Sequence, residues 1–364
     1  MRKILQRIFT RPITWLANRL ASAPKRDQVF SSLTLLLQSI RERKTGYTPA
    51  ITFDMQQSRF IILSDQHKGA KDYADDFRHT EKNYLAALRH YYDEGFTFIN
   101  LGDCEELWES TPSIVIDRNR ATLLEEARFE ADGRYMRVYG NHDLEWAYAI
   151  QQHIYLKPLF GPKLTIHEGL LFTTRYKEQE YSIFLTHGHQ GDQRSDGNAF
   201  SMWFVAAIWT PIQRFLEIST DTIVDSFELV DRHNIMMYEW SATQPNLLFI
   251  SGHTHKPVFA SLDHIDRLTT QLEKAMAEND EAAATAIQEE LEHRKQEYAG
   301  KKLVKTMAKP SYFNTGCCCF SDGDLTGIEI DRGMVRLVKW KANGDAGNRI
   351  VLEESPLYYL FDNL

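Results

Sequence analysis

The chain has 364 residues, of which 43% are hydrophobic and 25% are charged, so it can bury the core of one large domain or of two ordinary ones. Its formal net charge of -8 argues against nucleic-acid binding over the whole surface. A stretch of eighteen apolar residues does not occur, and the sequence therefore predicts no membrane-spanning helix.

The four cysteines, Cys104 and the run Cys317 to Cys319, have neither the spacing of a zinc knuckle nor that of a disulfide framework. They suit a reducing compartment, where cysteine is usually a small buried hydrophobe. We therefore expect a cytoplasmic protein in which Cys317 to Cys319 pack in the core rather than bind a metal.

The first 26 residues are basic and carry no acidic side chain. Arg11-Pro12 interrupts any secretory apolar segment, so we expect no cleaved signal peptide. The alternation of basic and apolar residues is typical of an amphipathic helix on an anionic membrane surface, in this case the inner face of the membrane. A helix packed on the domain or on a second subunit fits the same pattern equally well.

The first half of the chain alternates predicted strands with predicted helices. After a helix over residues 29–42, buried strands are predicted at 59–63, 96–101 and 135–139, with helices at 80–93 and 117–130 between them. This order predicts an α/β layered domain, in which functional loops gather at the carboxyl ends of strands.

The second half has shorter strands and two inserted segments. Strands at 164–166, 170–174, 181–185 and 247–250 are predicted to build a hairpin-rich second sheet, closed by strands at 312–319, 325–330 and 335–340. An aromatic helical insert is predicted over 199–245 and a polar helical hairpin over 263–300. We expect a helical extension over 1–50, a domain over 51–345 and a C-terminal tail over 346–364.

Polar clusters follow five of the predicted strands. They are Asp65-Gln66-His67, Gly102-Asp103, Gly140-Asn141-His142-Asp143, His187-Gly188-His189 and Gly252-His253-Thr254-His255. In an extended chain alternate residues project the same way, so both members of an Asp-X-His or His-X-His pair can reach one ion. Carboxylate, amide and imidazole donors suit manganese, iron or zinc. Because carboxylates are few, Asp103 is the best placed to bridge two divalent ions.

In the third cluster His142 offers a proton near neutral pH, and Asp143 is able to orient an imidazole.

This series resembles the calcineurin-like metallophosphoesterase family, with all five motifs in the family's order over roughly residues 59–330. The resemblance implies a four-layer α/β/β/α sandwich in which residues 199–245 form a helical cap. It implies two divalent ions, manganese first and iron or zinc next. The implied ligands are Asp65, His67, Asp103 and His255 for one ion, and Asp103, Asn141, His187 and His253 for the other.

The resemblance also implies hydrolysis of a phosphomonoester, phosphodiester or pyrophosphate by a metal-activated water. His142, oriented by Asp143, would act as acid or transition-state stabiliser. His189, Arg194 and Trp108 would face the substrate.

The stretch from Gly102 to Trp108 resembles the Gly-Asp-X-X-Glu-X-Trp sequence of the UDP-diacylglucosamine pyrophosphatases of lipid A synthesis. This implies a lipid-linked nucleotide as substrate, although those enzymes have arginine where this chain has His142. A protein phosphatase, a nucleotide phosphodiesterase and a non-catalytic metal-dependent scaffold remain alternatives. Lys68, Lys71 and Arg194 alone give thin support for a nucleic-acid groove, and no nucleic-acid partner is expected.

Overall fold

The structure is a computed structural model that describes residues 25–191, 227–263, 309–343 and 347–364, with scattered positions between 272 and 292. Residues 1–24, Arg194 and most of the predicted hairpin at 263–300 lie outside the described residues, and the predictions made for them stay predictions. Within the described part of the chain, no helix is both long enough and apolar enough to cross a membrane.

Helices and strands follow one another along the chain. In chain order the described elements are α1 (Arg26–Arg41), β1 (Ile51–Thr52), β2 (Arg59–Leu63), α2 (Phe77–Asp93), β3 (Thr97–Leu101), α3 (Pro112–Arg118), α4 (Arg120–Ala131), β4 (Tyr135–Val138), β5 (Ile166–His167), β6 (Gly169–Tyr176), β7 (Gln179–Thr186), α5 (Phe227–Thr243), β8 (Leu247–Ser251), β9 (Val258–Phe259), β10 (Leu262–Asp263), β11 (Tyr312–Asn314), β12 (Leu325–Asp331), β13 (Met334–Lys341), β14 (Asn348–Pro356) and α6 (Leu357–Asp362). Short helical turns at Leu144–Ala147, Ala149–Gln151, Gln152–Leu156 and Lys157–Phe160 connect β4 to β5.

Two seven-stranded sheets organise these elements. The first has the order β14-β13-β12-β2-β3-β4-β5, and its strands β2 to β5 run parallel. The second has the order β1-β6-β7-β8-β11-β9-β10, with β7 and β8 parallel and β6 and β7 forming an antiparallel hairpin. The carboxyl ends of β2, β3 and β4 therefore lie side by side at one edge of the first sheet.

Alternating side chains of the central strands enter different layers of the core. In β2, Ile62 packs between the two sheets, whereas Ile61 packs under the helices on the outer face. Phe184 of β7 likewise faces outward, beneath α1 and α5. Because both faces of each central strand are buried, these strands read as continuous apolar runs in the sequence.

Helices cover the outer face of each sheet. Helix α2 buries Tyr84 and Leu88 on the first sheet beside Leu123 of α4. On the second sheet, Leu37 of α1 packs with Trp240 of α5. The predicted α/β/β/α sandwich is therefore confirmed.

Several predicted boundaries need correction. The segment 346–364 is not a tail, because β14 pairs with β13 along its whole length and Leu360 of α6 is buried between the sheets. The described part of the extension predicted over 1–50 is not separate either, because α1 (Arg26–Arg41) forms part of the layer on the second sheet. Strand β5 joins the first sheet rather than the second, and the helix predicted over 117–130 breaks at Asn119.

Of the predicted cap, only the part from residue 227 onward lies within the described residues. That part is α5, and its Met236, Met237 and Trp240 are buried against the second sheet. This stretch is therefore a layer helix and not a cover over the predicted site. The apolar face of this helix packs on the apolar outer surface of β7 and β8, and both surfaces are buried in this way.

Candidate metal centre

The loops after five strands meet where the edges of the two sheets come together. The backbone N–H of Asp65 donates to the carbonyl oxygen of Gly102 at 3.0 Å, and that of His67 donates to Asp103 at 2.9 Å. In the second sheet, the Gly252 N–H donates to the His187 carbonyl oxygen at 2.8 Å. The two sheets are joined at this point because Nδ1 of His187 lies 2.9 Å from the Leu101 carbonyl oxygen.

Asp65, His67 and His255 form the first cluster of potential metal ligands. Nε2 of His255 lies 3.2 Å from Oδ1 of Asp65 and 3.2 Å from Nε2 of His67. One ligand atom from each of the three residues lies within 4.8 Å of the others. This set agrees with three of the four ligands predicted for the first ion.

Asp103, His187 and His253 form the second cluster, again with ligand atoms within 4.8 Å of one another. Oδ2 of Asp103 lies 3.0 Å from Nε2 of His187 and 3.7 Å from Nε2 of His67. The carboxylate of Asp103 therefore lies between the two clusters, and its role as a shared ligand stays a prediction.

The donor atoms fit divalent cations. The buried Oδ1 of Asn141 has no hydrogen-bond partner among the described residues. A buried amide oxygen without a partner costs free energy, unless a cation or water satisfies it. Two carboxylates, one amide oxygen and four imidazoles form the mixed oxygen and nitrogen donor set that manganese, iron and zinc accept.

The backbone at these strand ends is strained. Asp65, His67, Asp103, His253 and His255 all have φ angles between +49° and +69°, in the left-handed region that favours glycine. Each such residue costs on the order of 1–3 kcal/mol. Other residues of the chain also have positive φ, but these five are all potential ligands, so part of the backbone strain lies at the site.

Two glycines allow the ligand loops to approach each other. A Cβ atom on Gly140 would overlap Oδ1 of Asp103, and one on Gly252 would overlap Oγ of Ser64. Neither glycine can therefore be replaced without moving the carboxylate loop that it contacts.

Two of the potential ligand histidines have raised pKa values. Burial alone would lower the pKa of His187, but Asp103 and Asp65 raise it to about 9. For His255 burial also acts downward, and Asp65 raises the pKa to about 10. Since imidazole must lose its proton to bind a metal, metal loading should strengthen as the pH rises.

His142 lies at the rim of the centre and is held by Glu106, not by Asp143. Oε2 of Glu106 lies 2.7 Å from Nδ1 of His142 and 3.0 Å from Nδ1 of His67. The indole ring of Trp108 stacks on the His142 ring at a centroid distance of 4.2 Å. The prediction that Asp143 orients His142 is therefore wrong.

The charge of His142 follows from this arrangement. Burial would lower its pKa, but the carboxylates of Glu106 and Asp103 raise it to about 9. Glu106 itself is buried, which would raise its pKa, yet His142 and His67 lower it to about 2. The pair is therefore an imidazolium and a carboxylate at neutral pH, with a quarter of the His142 side chain exposed.

Asp143 instead fastens two of the ligand loops together. Its Oδ1 accepts the N–H of Gly140 at 2.6 Å, and its Oδ2 accepts the N–H of Cys104 at 3.0 Å. Arg137 is fully buried and donates from Nη2 to both Asp143 and Glu105. Asp143 therefore positions Asn141 and Asp103 through the backbone.

A second buried cation extends this network. Nζ of Lys68 lies 2.7 Å from Glu126 and 3.4 Å from Glu105. Burial would lower the pKa of Lys68, but these two carboxylates raise it above its ordinary value. The network of Lys68, Glu105, Glu126, Arg137 and Asp143 thus supports the metal centre from beneath with paired charges.

Of the residues predicted to face the substrate, Trp108 is half-buried beside His142 and donates from Nε1 to the Asn141 carbonyl oxygen at 2.7 Å. His189 is buried, and its ring lies 5.5 Å from that of His187. Burial and the proximity of His187 lower the pKa of His189 to about 3. Substrate contact by His189 or Trp108 stays a prediction, and Arg194 lies outside the described residues.

Two residues near the site, Glu106 and His233, receive no role from the sequence analysis. Glu106 belongs to a recognised motif but receives no role from it. His233 of α5 reads as an ordinary packed histidine, yet its ring lies 5.2 Å from that of His253 and its Nε2 lies 2.8 Å from the Gly188 carbonyl oxygen. No local motif marks His233, whereas the spacing of Glu106 from Asp103 could have identified it.

The fold and the site together define an α/β/β/α protein with a candidate dinuclear metal centre. No family model matches the chain, and no curated protein matches its sequence. Among solved structures, the chain is similar to vacuolar protein sorting 29 from Cryptosporidium parvum, with 13% identity, a TM-score of 0.31 and coverage of 82% of this chain and 98% of that one. It is also similar to a dimetal phosphatase from Danio rerio, with 11% identity, a TM-score of 0.34 and coverage of 81% and 99%. Similarity this low does not indicate a function.

Proposed function

We propose that the protein is a phosphoesterase that depends on two divalent metal ions. The observation that carries this proposal is the position of Asp103, whose Oδ2 lies 3.0 Å from His187 in one cluster and 3.7 Å from His67 in the other. A single carboxylate between two sets of histidines is the arrangement that a bridged pair of cations requires. Manganese is the first candidate, with iron or zinc next, because the donors are oxygen and imidazole nitrogen.

One ion would be held by Asp65, His67, Asp103 and His255. The other would be held by Asp103, Asn141, His187 and His253. When bound, such ions supply positive charge to a phosphoryl group and lower the pKa of a water molecule near it. The chain supplies the remaining groups, which keep the ligands in place and control a proton at the rim.

That proton belongs to His142. Because Glu106 occupies Nδ1, the proton available to a leaving group is the one on Nε2. The raised pKa keeps the ring protonated at neutral pH, so it can donate to the departing oxygen and stabilise charge on the phosphoryl group. Stacking by Trp108 restricts the ring to one orientation.

We further propose that the substrate carries an apolar group, as a lipid-linked nucleotide does. Helix α3 follows Trp108 closely, and it contacts the turn at Gln152–Leu156. Exposed apolar side chains occur on this helix and on the neighbouring turns, namely Ile114, Tyr148, Ile150 and Ile154. Apolar surface beside a polar reaction site supports a substrate with both a phosphate and a lipid portion.

The test is hydrolysis by protein freed of metal and then loaded with Mn²⁺, Co²⁺ or Zn²⁺. We expect metal-dependent turnover of p-nitrophenyl phosphate or its bis-ester, and faster turnover of a lipid-linked nucleotide than of a mononucleotide or a phosphopeptide.

Asp103→Asn should lose activity because the shared carboxylate charge is gone. Absence of turnover in protein that carries two ions per chain would contradict the proposal and favour a non-catalytic scaffold. Equal rates on nucleotides with and without lipid would reject the substrate class alone.

A further inference from the structure

Two cysteine thiols lie behind the first cluster of the metal centre. Sγ of Cys319 is 4.0 Å from Nδ1 of His255, on the side of the ring opposite the nitrogen that faces Asp65. Sγ of Cys317, Sγ of Cys319 and a ring nitrogen of His255 all lie within 4.8 Å of one another. The cysteines do pack in the core, as predicted, but two of the three also face a histidine.

The intervening residue points elsewhere. Sγ of Cys318 lies 3.9 Å from the carbonyl oxygen of Thr326 and packs in the core beneath the first sheet. Its backbone N–H donates to the Asp65 carbonyl oxygen at 3.1 Å, and the Cys317 carbonyl oxygen accepts from the Thr326 N–H at 3.0 Å. These bonds fix the run so that Cys317 and Cys319 share one side.

We propose that Cys317, Cys319 and His255 form a site for a thiophilic metal ion such as Zn²⁺, Cd²⁺ or Cu⁺. Two cysteines and one histidine with an open fourth position are a known ligand set for zinc. Thiolate sulfur is a soft donor, and so this site differs in preference from the oxygen-rich centre beside it. Each thiol that binds gives up its proton to solvent, so one divalent ion releases two protons from the pair.

The new site and the first cluster compete for one imidazole ring. A neutral imidazole has a lone pair on one nitrogen and a hydrogen on the other. A metal ion on Nδ1 therefore leaves the hydrogen on Nε2. That nitrogen can then donate a hydrogen bond to Asp65, 3.2 Å away, but it has no lone pair for a second metal ion. A thiophilic ion thus removes His255 from the ligands of the first ion and weakens the dinuclear centre. The weakening of the dinuclear centre rests on the proposed function. The proposal that Cys317, Cys319 and His255 bind a thiophilic ion does not.

The test uses protein loaded with two equivalents of Mn²⁺ and titrated with Cd²⁺. We expect an ultraviolet thiolate-to-cadmium charge-transfer band that saturates at one equivalent, since only sulfur ligands produce it. Free Mn²⁺, measured by electron paramagnetic resonance, should rise in parallel by one equivalent. Cys317→Ser and Cys319→Ser should each lose the band and weaken Cd²⁺ binding by more than about tenfold, because even outer partners of a metal cost that much.

Cys318→Ser is the matched control, because it removes a buried thiol of the same run that faces away from His255. It should keep the band and its one-to-one stoichiometry. Absence of the band in the wild-type protein would overturn the inference, whatever the variants do, and would leave Cys319 as an acceptor that orients His255. A band that persists in both Cys317→Ser and Cys319→Ser would also overturn it. Metal-dependent turnover without a band rejects this inference alone, and a band without any turnover rejects the proposed function alone.

Discussion

Replacing His142 with alanine should lower kcat by about 10²–10⁴-fold, the usual contribution of a positioned acid, while both metal sites remain loaded. The ring is not among the predicted ligands of either ion. It is held by Glu106 and Trp108, and its centroid lies 4.6 Å from that of the His67 ring. The measurement is kcat with a phosphoester together with the metal content of the same sample. Loss of an ion in step with activity would contradict the account, because it would make His142 a ligand. Unchanged kcat would contradict it as well.

Glu106→Gln is the matched variant for this prediction. It keeps the shape of the side chain and leaves His142 in place, but it removes the charge that raises the pKa of His142 to about 9. The acid form of His142 is present below its pKa, so wild-type kcat/KM should fall as the pH rises through that value. In Glu106→Gln the fall should begin at lower pH, toward the ordinary histidine value of about 6.5. An alkaline limb at the same pH in both proteins would show that His142 is not the titrating group.

Replacing Arg137 with methionine should destabilise the fold by about 3–5 kcal/mol, the usual cost of breaking a buried ion pair by removing one partner. Arg137 is completely buried, and its removal leaves Glu105 and Asp143 with less compensation for their charges. Because Asp143 holds the N–H groups of Gly140 and Cys104, metal affinity should fall too. The measurement is the midpoint of urea unfolding, with metal absent from both proteins.

Lys177→Met provides the control for Arg137→Met. Lys177 pairs with Asp362 at 2.7 Å, but its side chain is 63% exposed. An exposed ion pair contributes little, so the unfolding midpoint should barely move. A chain that no longer folds with methionine at 137 agrees with the account. A midpoint equal to that of the wild type would show that the buried network does not stabilise the protein.

The location of the candidate metal centre could be predicted from the sequence because its signals are local. Each ligand motif directly follows an apolar run, and parallel neighbours bring the carboxyl ends of such runs to one edge. Asp65, His67 and Asp103 therefore meet where the sequence places them. The layered fold was predictable for the same reason, since strands buried on both faces are apolar throughout.

Contacts between loops could not be predicted in this way. Asp143 follows His142 directly, and the sequence predicts it as the partner of the ring, but its carboxylate turns back to the N–H groups of Gly140 and Cys104. The ring is instead reached by Glu106 from the neighbouring loop. Which carboxylate reaches which imidazole depends on how two loops pack, and neither loop encodes that alone.

Edge and layer elements were missed for different reasons. Strand β14 carries Ile350, Val351 and Leu352 in succession and has no alternation that marks a half-buried strand. It is a strand because it pairs with β13, and its own sequence pattern does not indicate this pairing. His233 sits on a helix whose apolar face is read as core, and only the position of α5 brings it beside His253.

The central claim is that one carboxylate, Asp103, joins two metal sites. The most direct measurement is the electron paramagnetic resonance spectrum of protein loaded with two equivalents of Mn²⁺. Ions that share a ligand are magnetically coupled, so we predict the multiline spectrum of a coupled pair, lost in Asp103→Asn. Two equivalents of tightly bound Mn²⁺ that give only the spectrum of isolated ions would contradict the account.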